Sequence, residues 1–84
     1  MEANILNSFA TVTRFVAVIE SRPIRLAVSS IIHDAPHNGE YGFLAASDKV
    51  QALTKEESVT TSEKMHLYTV RDALKEIHEA LLQA

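Results

Sequence analysis

The sequence predicts an α+β fold, a small antiparallel sheet of three to five strands packed with one C-terminal amphipathic helix, and three observations carry that expectation. Asn38-Gly39 separates two apolar segments, and this pair tolerates the positive φ that a type I′ hairpin turn requires. Ile24, Leu26, Val28 and Ile32 recur with period two, the repeat of a half-buried strand. Val70, Leu74, Ile77 and Leu81 recur at steps of four, three and four, with Arg71, Lys75, Glu76 and Glu79 on the opposite face; this is the pattern of an amphipathic helix.

The first segment carries two competing signals. Ile5, Phe9, Val12, Val16 and Ile19 fall at alternating steps of four and three, a helical stripe. Thr11 to Ile19, however, is mostly β-branched or aromatic. Such side chains lose χ1 freedom in a helix and pack well on a pleated surface. Weighting composition over spacing gives a strand over residues 9–20, preceded by a helical turn near Ala3 to Ser8.

Ser21-Arg22-Pro23 breaks that run. Proline is tolerated at the first residue of a strand, and a second strand over 24–34 follows. A two-residue loop at Asn38-Gly39 then pairs His37 with Glu40, Asp34 with Phe43 and Ile32 with Ala45, with Pro36 as a residue that widens the loop. Lys49 to Leu53 admits a short strand or a helical turn. Lys55 to Lys64, with Ser58, Thr60, Thr61 and Ser62, reads as a polar loop or a mobile strand end. Met65 to Tyr68 reads as extended. Thr69-Val70-Arg71-Asp72 offers a hydroxyl with an acid three residues later, a near relative of the capping box, so the helix is expected over 69–84.

This register sorts the side chains into two faces. Phe9, Phe15, Ala17, Ile19, Ile24, Leu26, Val28, Ile32, Tyr41, Phe43 and Ala45 form the core face. The other carries Val12, Arg14, Val16, Val18, Glu20, Arg25, Ala27, Ser29, Ile31, His33 and Leu44. A solvated antiparallel face is normally polar, and one terminal helix covers only one side. The outer face therefore needs the middle segment or another protein over it, and Val12, Arg14, Val16, Val18, Arg25 and Ile31 are the expected interaction surface.

Composition bounds the rest. The 84 residues suffice for one domain over 1–84. There is no cysteine, hence no disulfide, thiolate metal site or cysteine nucleophile. A domain this small buries a limited fraction of its surface, so it relies on packing or on a partner subunit. The net charge of −3 points away from a polyanion-binding surface. No apolar run approaches a membrane span, and Met1-Glu2-Ala3-Asn4 has no basic character of the kind a secretory signal needs. A cytoplasmic setting is the expectation.

Motifs that carry chemistry are sparse. His33, Asp34, His37 and Glu40 invite a metal reading, but on a regular strand positions four apart are roughly 13 Å apart, too far for one zinc ion. His66 and His78 are isolated. Ser29-Ser30 lacks the glycines of a nucleophile elbow. Gly39 and Gly42, the two glycines of the chain, cannot build a phosphate-cradling loop. Glu56-Glu57 to Glu63 is an acidic run with hydroxyls, read as a solvated loop. Arg14, Arg22 and Arg25 are the clustered cations.

The functional expectation is a small non-enzymatic protein-interaction or regulatory domain, a homodimer through its apolar sheet face, with no catalytic residue, cofactor or metal. One alternative is a single-stranded nucleic-acid-binding module using Arg14, Arg22 and Arg25. Such modules need a basic groove with stacking aromatics, whereas the aromatics here fall on the core face. The other is an enzyme or metal protein centred on the His33–His37 loop.

Overall fold

The computed structural model describes the backbone of residues 2–83 and the side chains of residues 6–83. Among these residues it contains four α-helices and no strand: α1 (Glu2–Ala17), α2 (Arg22–Asp34), α3 (Gly42–Leu53) and α4 (Thr61–Gln83), with a 3-10 turn at Ala35–His37 between α2 and α3. The expected α+β architecture is thus replaced by an all-α one.

The strand expected at 9–20 is helix α1 followed by a short connection, and the helical stripe is the signal that holds. Val12 is buried, Val16 packs against the core, and Ile19 is buried just beyond the helix end; the Ile5 side chain lies outside the described residues. The threonines of the β-branched run are accommodated by back-bonding. Thr11 Oγ1 donates to the Asn7 carbonyl and Thr13 Oγ1 to the Phe9 carbonyl, each at 3.0 Å. A hydroxyl bonded to the preceding turn satisfies itself without leaving the helix.

The strand expected at 24–34 is α2. Ile24, Val28 and Ile32 fit a period of two and a helical step of four equally well. Ile31 and Ala35, both packed in or on the core, fit only the helix, and Leu26, which period two places inside, is 56% exposed. Ser21-Arg22-Pro23 starts this helix: Ser21 is its N-cap residue, Pro23 lies in its first turn, where a missing N–H costs nothing, and the Arg25 amide donates to the Ser21 carbonyl at 2.9 Å.

Asn38-Gly39 turns the chain between two helices rather than between two strands. Gly39 has φ +80°, but Asn38 has φ −103°, whereas a type I′ hairpin needs positive values at both positions. The third strand expected around 41–45 is the start of α3. Tyr41, expected inside, is 59% exposed. Gly42 is required by close approach: a Cβ there would fall on the Ala35 carbonyl oxygen, with Asn38 Cβ also in tight contact.

Met65–Tyr68, expected to be extended, lies inside α4, which begins eight residues before the expected start at Thr69. The reason is a capping box in the polar run expected to be a loop. The Glu63 amide donates to Thr60 Oγ1 at 3.1 Å, and Glu63 Oε1 accepts from the Thr60 amide at 3.1 Å. This reciprocal pair satisfies two otherwise orphaned amides at the helix start. The other carboxylate oxygen of Glu63, Oε2, accepts from the Ser21 amide at 3.0 Å, tying the α1–α2 connection to the head of α4.

α4 is the central element. It packs antiparallel to α1 on one side and to α3 on the other. Ser8 Oγ donates to Glu76 Oε2 at 3.2 Å, while Phe15 meets His66 with ring centroids 5.6 Å apart, so the start of α1 lies beside the end of α4. Tyr41 meets His78 at 5.6 Å and Arg71 reaches Gln51, which sets the direction of α3. Leu67, Val70, Ala73, Leu74 and Ile77 of α4 join Val12, Ile19, Ile24, Val28, Phe43, Ala46, Val50 and Val59 in one core. α2 packs on α3 and touches α1 only lightly.

The Glu63 carboxyl is held below its ordinary value of 4.5 by the Thr60 amide first and the Ser21 amide second. A depressed folded-state value contributes stability above the unfolded carboxylate range and loses it as pH falls through the folded value. Glu63→Gln puts an NH2 group where one of those acceptor oxygens stands, so one amide loses its partner. Urea denaturation followed from neutral to acid pH is expected to show the variant less stable at pH 7. The gap should narrow as pH falls below the ordinary value of 4.5 and through the lower folded-state value. A gap independent of pH would remove the charged cap from the account.

Candidate functional site in two apolar grooves

The six residues expected to form one interaction face are dispersed by the helical fold. Val12 is buried, and Val16 and Ile31 pack partly against the core. Val18 is exposed just past the end of α1, and Arg14 is exposed in its last turn. Arg25 is half-buried, and its Nη1 donates to the Ile19 carbonyl at 2.8 Å. That bond spends the guanidinium on the chain reversal between α1 and α2. Of the basic cluster, Arg14 and Arg22 stay exposed, on the last turn of one helix and the first turn of the next.

Val12 and Val16 do share a surface feature. The light α1–α2 contact leaves a groove of about 450 Å³ lined by Val12, Thr13, Val16, Ala17, Ser29, Ile32 and His33. Val12 forms its floor and Ala17 and Ser29 its exposed rim. No Lys, Arg, Asp or Glu lines it.

A second groove, about 390 Å³, opens at the end of the bundle where α1 begins and α4 finishes. Phe9, Pro36, Gly39, Glu40, Phe43, Leu81 and Leu82 line it, and Phe9 meets Phe43 edge-on with centroids 5.7 Å apart. A polar cleft lies on the far side of the α1–α4 seam, with Asn7, Ser8, Glu76, Glu79, Ala80 and Gln83 around it. The second groove carried no signal in the α+β register, which placed Phe9 and Phe43 inside and left Leu81 on the apolar face of the terminal helix.

The histidine loop also differs from the sequence-based expectation. His33 lies in the last turn of α2 and His37 closes the 3-10 turn, and their rings stand 6.0 Å apart. The separation estimated for a strand does not apply, because helical winding brings positions four apart together. The pair stands without a third partner: among the described residues no group of three or more His, Cys, Asp or Glu is arranged to hold a metal ion. His78 is buried against Tyr41, and its Nδ1 has no hydrogen-bond partner.

No described helix is long and apolar enough to cross a membrane. The fold and its surface define a class, a small four-helix domain with two apolar grooves. No family model, curated protein or solved structure matches the chain.

Proposed function

We propose that this chain is a non-enzymatic protein-interaction domain that pairs with a second copy of itself through the α1–α2 groove, in a cytoplasmic setting consistent with its lack of cysteine. The observation that carries the reading is the predominantly apolar lining of that groove, in which Val12, Val16, Ala17 and Ile32 stand beside Thr13, Ser29 and His33 with no Lys, Arg, Asp or Glu. In a two-fold dimer each residue meets the same patch of its partner, so a charged lining would set like charges face to face. Val12, Val16, Ala17 and Ile32 set none. Sealing the groove also adds burial to a domain whose own core is small.

Sedimentation of the full chain at tens of micromolar tests this. The expected species has about twice the 9.3 kDa monomer mass. Ala17→Glu with Ser29→Glu changes two exposed rim positions, so it should leave the monomer folded and return it to 9.3 kDa. A wild-type chain that sediments only as monomer overturns the proposal.

A further inference from the structure

We propose that His33 and His37 form half of a transition-metal site, completed by the same two histidines of a second copy, so that a zinc-class cation bridges and tightens the dimer. The inference rests on pairing through the α1–α2 groove. His33 and His37 stand one helical turn apart across the end of α2 and the 3-10 turn, with ring centroids 6.0 Å apart. Two imidazoles on a single zinc ion, each bonded at about 2.0–2.1 Å, place their rings roughly 5–6 Å apart. Both side chains are exposed, so a small rotation aims a nitrogen of each ring at a common point. Neutral imidazole suits zinc, copper and nickel ions.

The pair cannot complete such a site within one chain. Zinc takes four donors. Among the described residues no third His, Asp or Glu joins these two, and the chain has no cysteine. The missing donors come from water or from another molecule. His33 also lines the α1–α2 groove, where no Lys or Arg stands to repel a cation. In a two-fold dimer a residue close to the axis meets its own image. With the axis passing beside His33, the two pairs face each other and supply four imidazole nitrogens, a closed tetrahedral set. A cation that binds the paired chains better than the single chain stabilises the pair by mass action.

The test uses the full chain, purified without a histidine tag, in EDTA and with added Zn2+. Sedimentation over a dilution series is expected to show a dimer dissociation constant about tenfold or more lower with zinc. Calorimetric titration should show a single zinc ion for each pair of chains. Co2+ in place of zinc should develop the intense visible absorption of a tetrahedral ion. His37 is exposed and does not line the groove. His37→Ala should therefore abolish the zinc effect and the cobalt absorption, while leaving the fold and the dimer in EDTA unchanged.

The proposal is overturned if neither zinc nor cobalt binds, if zinc binds each chain singly with no change in sedimentation, or if His37→Ala keeps the zinc effect. A dimer equally tight in EDTA and in zinc overturns the bridge and leaves groove pairing standing. A chain that is monomeric in EDTA and dimeric in zinc does the reverse.

Discussion

Leu74→Ala is expected to remove a large fraction of the domain's stability. Leu74 has no exposed surface and sits on the α4 face that α1 and α3 both cover. Deleting its outer methyls removes their transfer free energy and leaves a cavity that three packed helices close only in part, at a cost of about 2–5 kcal/mol. A domain of this length has roughly 4–13 kcal/mol of total stability. Urea denaturation of the wild type, Leu74→Ala and Leu82→Ala measures the difference. Leu82 is half exposed, so its alanine variant should lose about 0.5 kcal/mol or less. Equal midpoint shifts for the two would mean that α4 does not present Leu74 to the core.

Gly42→Ala should be nearly as damaging for a different reason. The added methyl lands on the Ala35 carbonyl oxygen, and backbone cannot yield as a flexible side chain can. The 3-10 turn and the head of α3 must separate, at a cost of about 2–4 kcal/mol, against a gain of about 1 kcal/mol from alanine's better helix propensity. Gly39→Ala is the comparison. Its new methyl meets nothing within 4 Å, so it bears only the left-handed backbone cost of about 1–2 kcal/mol. Thermal melts that place Gly42→Ala above Gly39→Ala would remove the close approach between turn and helix.

The apolar face of α4 was legible because Val70, Leu74 and Ile77 repeat with a spacing that no strand shares. Its first two turns were not, because Thr60, Thr61 and Ser62 look like loop composition. Thr60 with Glu63 was nevertheless a complete capping box, better formed than the one at Thr69. α2 was misread because positions 24, 28 and 32 satisfy both periods. Ile31, Ala35 and the exposed Leu26 separate the two, and Ala35 lies beyond the stretch that period two spans. In α1 the helical stripe was visible and was outweighed by β-branched content. Propensity of a fraction of a kcal/mol per residue yields to burial of Val12 and the packing of Val16 on the helical stripe, which is worth more. Asn38-Gly39 signalled a chain reversal correctly and said nothing about what it joined. The grooves had no local signature, since each depends on how far two helices stand apart.

One carboxylate grips amides that lie far apart in the chain, Ser21 and Thr60, through Glu63. Neither amide can open to solvent deuterium independently while that grip persists, so the two should exchange at matched rates as members of one cooperative unit. Protonating Glu63 neutralises the carboxylate that both amides share and weakens the two bonds together. Acid should therefore loosen the corner after α1 and the head of α4 in step, before the Leu74 layer begins to exchange.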